Sequence, residues 1–430
     1  MARTASDTAS GTADTADDTA NDASASAAEE AAPATGTMRP PGAGGRRPDK
    51  VPPTVHLIAL GIFTMVTSEF AVGGLMPQMA EGLGAGVPRI GYLITAFALA
   101  MAFGGPVAAT ALHRLRPTTA LLVLFAVFFT GNALAAAAPG YTTMLIARIV
   151  TGAASGAFFG VGLSVVAGIT RPELRGRATG IAMQGLMVGT LLGLPLSTFI
   201  GELWGWRAAF AAIGVLTLLA AGASAAALPR LEREEGAGGL RQEAAVFRDP
   251  WLLGAMLSST LIIGATFAAF SYFTPILTEL TGFSRGTVPL LLLVYGAATV
   301  VGNAVVARFA SSRTLTVIGA GLALNTLFLA VFALAAEHAV PAVAAMVGIG
   351  LVGVTMNPAM ITRVQRAGNA GPLVNTVHSS FITLGVVVGS WGGGLAIDAF
   401  GLRAPLWTGA ALALIGLVTL IPSALKARRG

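Results

Sequence analysis

Apolar runs of about 20 residues recur along almost the whole chain, and a run of that length crosses the roughly 30 Å hydrocarbon core of a bilayer as a helix. Twelve follow one another from Val55 onward. Inside lipid every backbone N–H and C=O must find its partner within the chain, so such runs have to be helical. Composition agrees. Charged residues are 11% of the 430, against about 25% in soluble domains. The expected fold is an all-α polytopic membrane protein whose solvent is the lipid bilayer. Its spans are expected near 55–79, 90–112, 118–138, 142–169, 178–201, 207–228, 251–277, 286–308, 314–336, 340–362, 373–396 and 404–425.

Residues 1–53 are a different kind of sequence, rich in Ala, Thr, Ser, Asp and Gly. Such a segment buries too little apolar surface to fold, so a disordered cytoplasmic tail is expected, with Met1 or Met38 as alternative starts. A polar loop at 229–250 separates a first set of six spans, 54–228, from a second set, 251–426. Counting Lys and Arg near the span ends places nineteen on the side of the N-terminus and four on the other. The positive-inside rule then puts both termini in the cytoplasm. The net charge of +6 is thereby a topology signal, and no nucleic-acid partner is expected. An internal repeat supports two related halves. With a constant offset, 189-GTLLGLPLSTFIGELWGWR-207 aligns with 385-GVVVGSWGGGLAIDAFGLR-403, pairing Gly189 with Gly385, Gly193 with Gly389, Glu202 with Asp398 and Arg207 with Arg403. Parallel repeats about an axis along the membrane normal are one plan of secondary transporters, with the substrate site near the midplane between them.

Three polar residues stand out in the first set. Glu69 lies about 14 residues into span 1, roughly 21 Å from the inner edge. Arg148 enters span 4 from the outer side, and counting residues brings it to the same level, as it does Asn132 of span 3. A charge at mid-membrane costs about 2.5–3.5 kcal/mol on insertion scales and normally has a partner. Glu69 and Arg148 are therefore either a structural ion pair that locks two helices or a carboxylate that binds and releases a proton as the cation approaches and withdraws. The second is favoured here, because intramembrane ionisable residues are functional by default. In span 5, Gly185, Gly189 and Gly193 recur every four residues, a smooth face for close helix contact, and Pro195 removes a backbone N–H. Candidate substrate or pocket residues are Asn132, Phe158, Gln184, Tyr272, Asn325 and Thr383. Phe158, Phe159, Phe267 and Phe270 either line an apolar pocket or face lipid. There is no GxxxxGK[ST] phosphate loop. The four histidines lack HExxH spacing, so no metal site is expected. With 152-GAASG-156 departing from a nucleophile elbow at Ala153, nothing marks an enzyme.

Over residues 55–425 the chain resembles the major facilitator superfamily, in its twelve-helix drug:proton antiporter branch. The matching pieces are TSEF in span 1, LIARIVTGAASGAFFG in span 4, GLMVGTLLGLPLSTFIGELWGWRAAF across spans 5 and 6, and FSYFTPILTELTGFS at the end of span 7. The subgroup it looks most like exports chloramphenicol, sugars such as arabinose, and nucleosides. The resemblance implies proton coupling through Glu69 and Arg148, an antiporter motif at Gly185, Gly189, Gly193 and Pro195, and an inner gate at Gly105 and Arg114. His113 stands where the gate motif usually has Asp, and Thr383 where span 11 often has Asn. The function implied is proton-coupled efflux of small amphipathic compounds, chloramphenicol-like first, with sugars or nucleosides as the alternative. The expectation is a multi-pass protein of the bacterial inner membrane, acting as a monomer on a small molecule and protons, with the proton gradient in place of any cofactor.

Overall fold

A computed structural model describes residues 50–229, 231, 245–368, 372–423 and 425. The expected tail and most of the expected loop at 229–250 lie outside the described residues. Twelve helices are long and apolar enough to cross a membrane. They are α1 Val55–Leu83, α2 Val87–Leu112, α3 Pro117–Ala136, α4 Tyr141–Ile169, α5 Pro172–Trp204 and α6 Trp206–Ala227, followed by α7 Pro250–Leu280, α8 Arg285–Phe309, α9 Thr314–Leu334, α10 Ala339–Ala367, α11 Leu373–Phe400 and α12 Ala404–Ser423. The end of the bundle where α1 begins and α12 finishes is called the terminal end below, and the opposite one the far end.

The packing of the first six helices recurs in the last six. α1 packs along α5 as α7 does along α11, α3 lies against α4 and α6 as α9 does against α10 and α12, and α2 meets α4 as α8 meets α10. The contacts between the two sets are also paired, α2 with α11 and α5 with α8. Glycines make the closest seams. A Cβ at Gly185 would lie 1.9 Å from the carbonyl oxygen of Ala59, and one at Gly193 would lie 2.9 Å from the Cα of Thr67. In the second set a Cβ at Gly389 would lie 2.4 Å from the carbonyl of Gly264. Small residues let backbones approach to this distance, which is how helices gain van der Waals contact where lipid removes the hydrophobic drive.

Three helices are less regular than their apolar patterns suggest. α2 loosens into a π-helical stretch at Ala100–Gly104. α7 is regular over Pro250–Phe270, breaks at Ser271 and Tyr272, and ends in a π-helical turn at Ile276–Leu280. Pro275 explains the break: without an N–H it leaves the Ser271 carbonyl with no helical donor. α10 stops at Gly353, makes a short 3₁₀ turn at Val354–Met356, and resumes at Asn357 with Pro358 in its first turn. Proline fits that first turn because its missing N–H would be unbonded there in any case. By contrast, α5 carries Pro195 and stays continuous.

The two sets close on each other at the far end. Glu81 of α1 pairs with Arg285 of α8 at 2.5 Å. Tyr92 donates to Asp398 at 3.3 Å, and the hydroxyls of Thr95 and Ser390 are 2.8 Å apart. The bond between the sets nearest the terminal end runs from the Asn303 amide to the Met187 sulfur, 3.8 Å. Beyond it the terminal part of α2, Gly105–Leu112, packs on α4, and that of α10, Asn357–Ala367, packs on α7, α8, α9 and α11. Among the described residues neither packs extensively on the other set. The two sets, among the described residues, are therefore joined at the far end and parted at the terminal end.

Candidate functional site

The polar layer of the first set forms around Arg148, which is 1% exposed. Its guanidinium donates from Nη1 to the backbone carbonyl of Ser68 at 2.8 Å and to Ser68 Oγ at 3.3 Å, and from Nη2 to the backbone carbonyl of Glu69 at 3.2 Å. The same cation sits 4.2 Å from the centroid of the Phe97 ring. Such contact is worth about 2 kcal/mol or more when desolvated. Ser68 in turn donates to Asn132 Oδ1 at 3.1 Å, and Asn132 Nδ2 to the Phe128 carbonyl at 2.9 Å. Helices α1, α2, α3 and α4 thus meet at one level, where residue counting placed Glu69, Arg148 and Asn132.

The detail differs from a locked ion pair. No Glu69 carboxylate oxygen lies within 4.0 Å of a guanidinium nitrogen, and the carboxylate makes no hydrogen bond among the described residues. Arg148 is held by the backbone of α1 and by Ser68, while the Glu69 side chain, half-buried, stays near it but outside ion-pair distance. The physical reason is geometric. A side chain leaning toward the helix N-terminus leaves the backbone carbonyls to meet a guanidinium that arrives from α4. Ser68 and Phe97 were not foreseen. The adjacency of Ser68 to Glu69 in TSEF was the available signal, whereas nothing along the chain links Phe97 to Arg148.

One residue further on, Phe70 crosses to the other set. Its ring lies 5.6 Å from Phe270 edge-on and 6.3 Å from Phe267. Phe270 continues to Phe273 and stacks on Tyr295 of α8 at 5.2 Å. This aromatic row lies between the polar layer and the far-end junction.

The other candidate residues separate. Phe158 neither lines an opening nor faces lipid. It is fully buried inside the first set, 4.8 Å from the Phe125 ring and under Gly61. Phe267 and Phe270 likewise are buried against Phe70 and do not face lipid, while Phe159 is half-buried. Tyr272 belongs to the far-end junction, its hydroxyl donating to the Ser390 carbonyl at 2.6 Å and its ring packed on Gly91 and Gly394. Asn325 lies inside the second set, fully buried and donating to Thr266 Oγ1 at 3.3 Å. Thr383 is half-buried and donates to the Ser379 carbonyl of its own helix. Gln184 is exposed on α5. Gly185, Gly189 and Gly193 all face α1, against Ala59, Val66 and Thr67, so the glycine face flanks the helix that carries Glu69. Pro195 is buried on the same helix. The carbonyl it frees, that of Leu191, lies 2.8 Å from where a Gly296 Cβ would stand on α8. Gly105 sits tight against Gly156 of α4. Arg114 is exposed with no bonded partner among the described residues, and His113 bonds only within its own turn, to the Thr110 carbonyl.

Twelve apolar helices in two similarly packed sets, joined across one end with a buried polar layer behind the junction, define a multi-pass membrane transporter. A family model, Major Facilitator Superfamily, matches residues 58–379, and the chain belongs to that superfamily. It is 32% identical to the inner membrane transport protein YdhP of Escherichia coli (strain K12) over 80% of this chain and 88% of that protein. It is 29% identical to a chloramphenicol resistance protein of Streptomyces lividans over 86% and 96%. Among solved structures, a bacterial homolog of the human lysosomal transporter Spinster, crystallised inward-facing and unoccupied, superposes with a TM-score of 0.67 at 15% identity, covering 85% of this chain and 95% of that one.

Proposed function

We propose that the protein exports small amphipathic compounds in exchange for protons. The observation that carries this reading is the Glu69 carboxylate, outside ion-pair distance of Arg148. It sits at mid-helix beside a fully buried cation whose bonds go to backbone carbonyls and to Ser68 Oγ. An intramembrane carboxylate without a fixed partner can exchange a proton without first breaking an ion pair. Its neighbour Phe70 touches the second set, so a change in the angle between the sets reaches α1 directly.

In this reading residues 54–228 and 251–426 are the two moving halves, and the terminal end is cytoplasmic, as the arginine excess requires. Substrate enters from the terminal end and meets the aromatic row. Rocking of one half against the other parts the far-end pairs, Glu81–Arg285 and Tyr92–Asp398, and releases substrate outside. A proton taken up by Glu69 from that side and given up on the other resets the carrier, so the gradient supplies the energy and a monomer suffices. The named relative makes chloramphenicol the first compound to try. Sugar or nucleoside export is less favoured because the hydroxyls along the terminal half of α11, Ser379, Ser380 and Thr383, already donate to carbonyls of their own helix.

The test uses everted membrane vesicles from an efflux-deficient host. Substrate addition should drive proton movement in the wild type, and Glu69→Gln should abolish it while the protein remains in the membrane. Undiminished proton movement in Glu69→Gln would remove the coupling role.

A further inference from the structure

A charged cavity, far from the polar layer, lies within the second set at the terminal end. It holds about 330 Å³ and is lined by Trp251 of α7, Thr314 and Leu315 of α9, Arg363 and Arg366 of α10, and Ser423 of α12, together with Ala255 and Ala367. We infer that this cavity binds the phosphate of an anionic phospholipid headgroup.

Two guanidiniums converge on it. Arg363 is only 9% exposed and makes a single hydrogen bond among the described residues, from Nη2 to Ser423 Oγ at 3.1 Å. Its other N–H groups remain for a ligand in the cavity. Arg366 donates to Thr314 Oγ1 at 2.9 Å and to the Ser311 carbonyl, which holds it beside the start of α9. That start is itself a donor. No side chain caps it, and the first helical bond within α9 is made by Val317, to the Arg313 carbonyl. The N–H groups of Thr314, Leu315 and Thr316 therefore have no helical acceptor, and the positive end of the helix dipole favours an anion there. Among the described residues the carboxylate at this edge, Asp249, is already engaged as the cap of α7, accepting from the Trp251 N–H at 2.8 Å. Burying Arg363 without a counter-ion is costly, and a phosphate would remove that cost with charge-assisted bonds to a planar donor fork.

The surroundings select a lipid over a soluble phosphate. The cavity lies at the ends of four membrane-crossing helices, the depth of the headgroups. Trp251, 41% exposed, is the amphipathic side chain that settles at the membrane interface. Leu414, Val418 and Ile421 are exposed apolar residues of α12, spaced four and three apart, that descend to the same end. Acyl chains can lie along them while the headgroup reaches the arginines. The inference does not depend on which substrate the protein carries.

The full chain, purified in mild detergent and stripped of lipid, is titrated with phosphatidylglycerol, phosphatidylcholine or inorganic phosphate, and bound lipid is read by native mass spectrometry. The wild type should take up phosphatidylglycerol in preference to phosphatidylcholine. Arg363→Gln/Arg366→Gln should lower phosphatidylglycerol affinity roughly tenfold or more, since each basic group near a charged surface contributes about 1 kcal/mol. If the double variant does not fold, Arg363→Gln alone leaves both Arg366 bonds intact and should still lose several-fold. Arg116→Gln/Arg308→Gln, which removes two exposed charges at the same end, should bind as the wild type does. Equal binding by the pocket variants, or an equal loss in the control, overturns the inference. So does arginine-dependent binding of inorganic phosphate with no preference for phosphatidylglycerol, which would make this a site for a soluble anion.

Discussion

The polar layer of the first six helices and its counterpart in the last six occupy the same place in the packing and differ in chemistry. A Cβ at Gly152 of α4 would meet the Phe97 carbonyl of α2, and one at Gly350 of α10 would meet the Tyr295 carbonyl of α8. Four residues before each glycine stand Arg148 and Met346, both fully buried. Asn132 of α3 bonds a hydroxyl on α1, that of Ser68, and Asn325 of α9 bonds a hydroxyl on α7, that of Thr266. So the amide–hydroxyl pair is present twice, while the cation and the carboxylate are present once. The helix that would carry the second cation, α10, breaks at Gly353 and rests there against Thr266. The first set holds its layer with charge and stays regular along α1 and α4. The second holds its layer with neutral groups, and its backbone bends at α7 and α10. On the proposed function, the half with the charged layer is the one that would exchange the proton, and the half with the broken helices carries no matching cation at that level.

The largest expected effect breaks this contrast at its centre. Arg148→Ala removes three bonds donated by an ionised group, and even one such bond is worth about 1.5–3 kcal/mol. Transport should fall on the order of a hundredfold, since each 1.4 kcal/mol is tenfold, with protein still inserted. Met346→Ala at the matching position should change the transport rate by about twofold at most, its cost being a cavity read in thermal stability. Equal losses of transport from the two would mean that the layers share one role.

Next come the seams. Gly185→Ala places a methyl 1.9 Å from the Ala59 carbonyl, and such overpacking costs about 1–3 kcal/mol. A lowered melting temperature in detergent is the readout. Gly254→Ala on α7, where nothing lies within 4 Å, should leave it unchanged. A smaller effect separates the two amides. Asn132→Leu and Asn325→Leu each remove an interhelical hydrogen bond worth about 0.6 kcal/mol on average in membranes. Only Asn132→Leu should also lower transport, because Ser68 then loses the partner that orients it toward Arg148. The smallest is at the far end. Glu81→Gln weakens an exposed ion pair worth about 0–1 kcal/mol. It should shift the balance toward a far-end-open state by severalfold at most, measured by the distance between spin labels placed on α1 and α8.

Much of the architecture was legible along the chain, because a bilayer leaves a long apolar run only one economical backbone. Each of the twelve expected runs is a helix, with ends that moved by a few residues. The common level of Glu69, Arg148 and Asn132 followed from counting at a fixed rise per residue. Contacts that depend on rotation about a helix axis did not follow. Phe158 reads as readily for a pocket wall as for a core ring until Phe125 and Gly61 are seen to enclose it. Tyr272 reads as a substrate contact until the break in α7 turns its hydroxyl toward Ser390. The bends were half-visible, since Pro275 and Pro358 announce missing donors, yet Pro195 announces the same and α5 does not break.

What the sequence determined alone was the medium, the number of spans, the superfamily and the level at which charge is buried. These depend on hydrophobicity, length and motif, which are properties of residues in order. Tertiary structure decided that Arg148 grips the carbonyls of Ser68 and Glu69 while the Glu69 carboxylate stays outside ion-pair distance, that the two sets are joined at one end, and that Arg363 and Arg366 share a cavity with the start of α9. Each of these depends on how two helices are rotated against one another. That rotation is set by close contacts such as the glycine seams, which join residues more than a hundred positions apart.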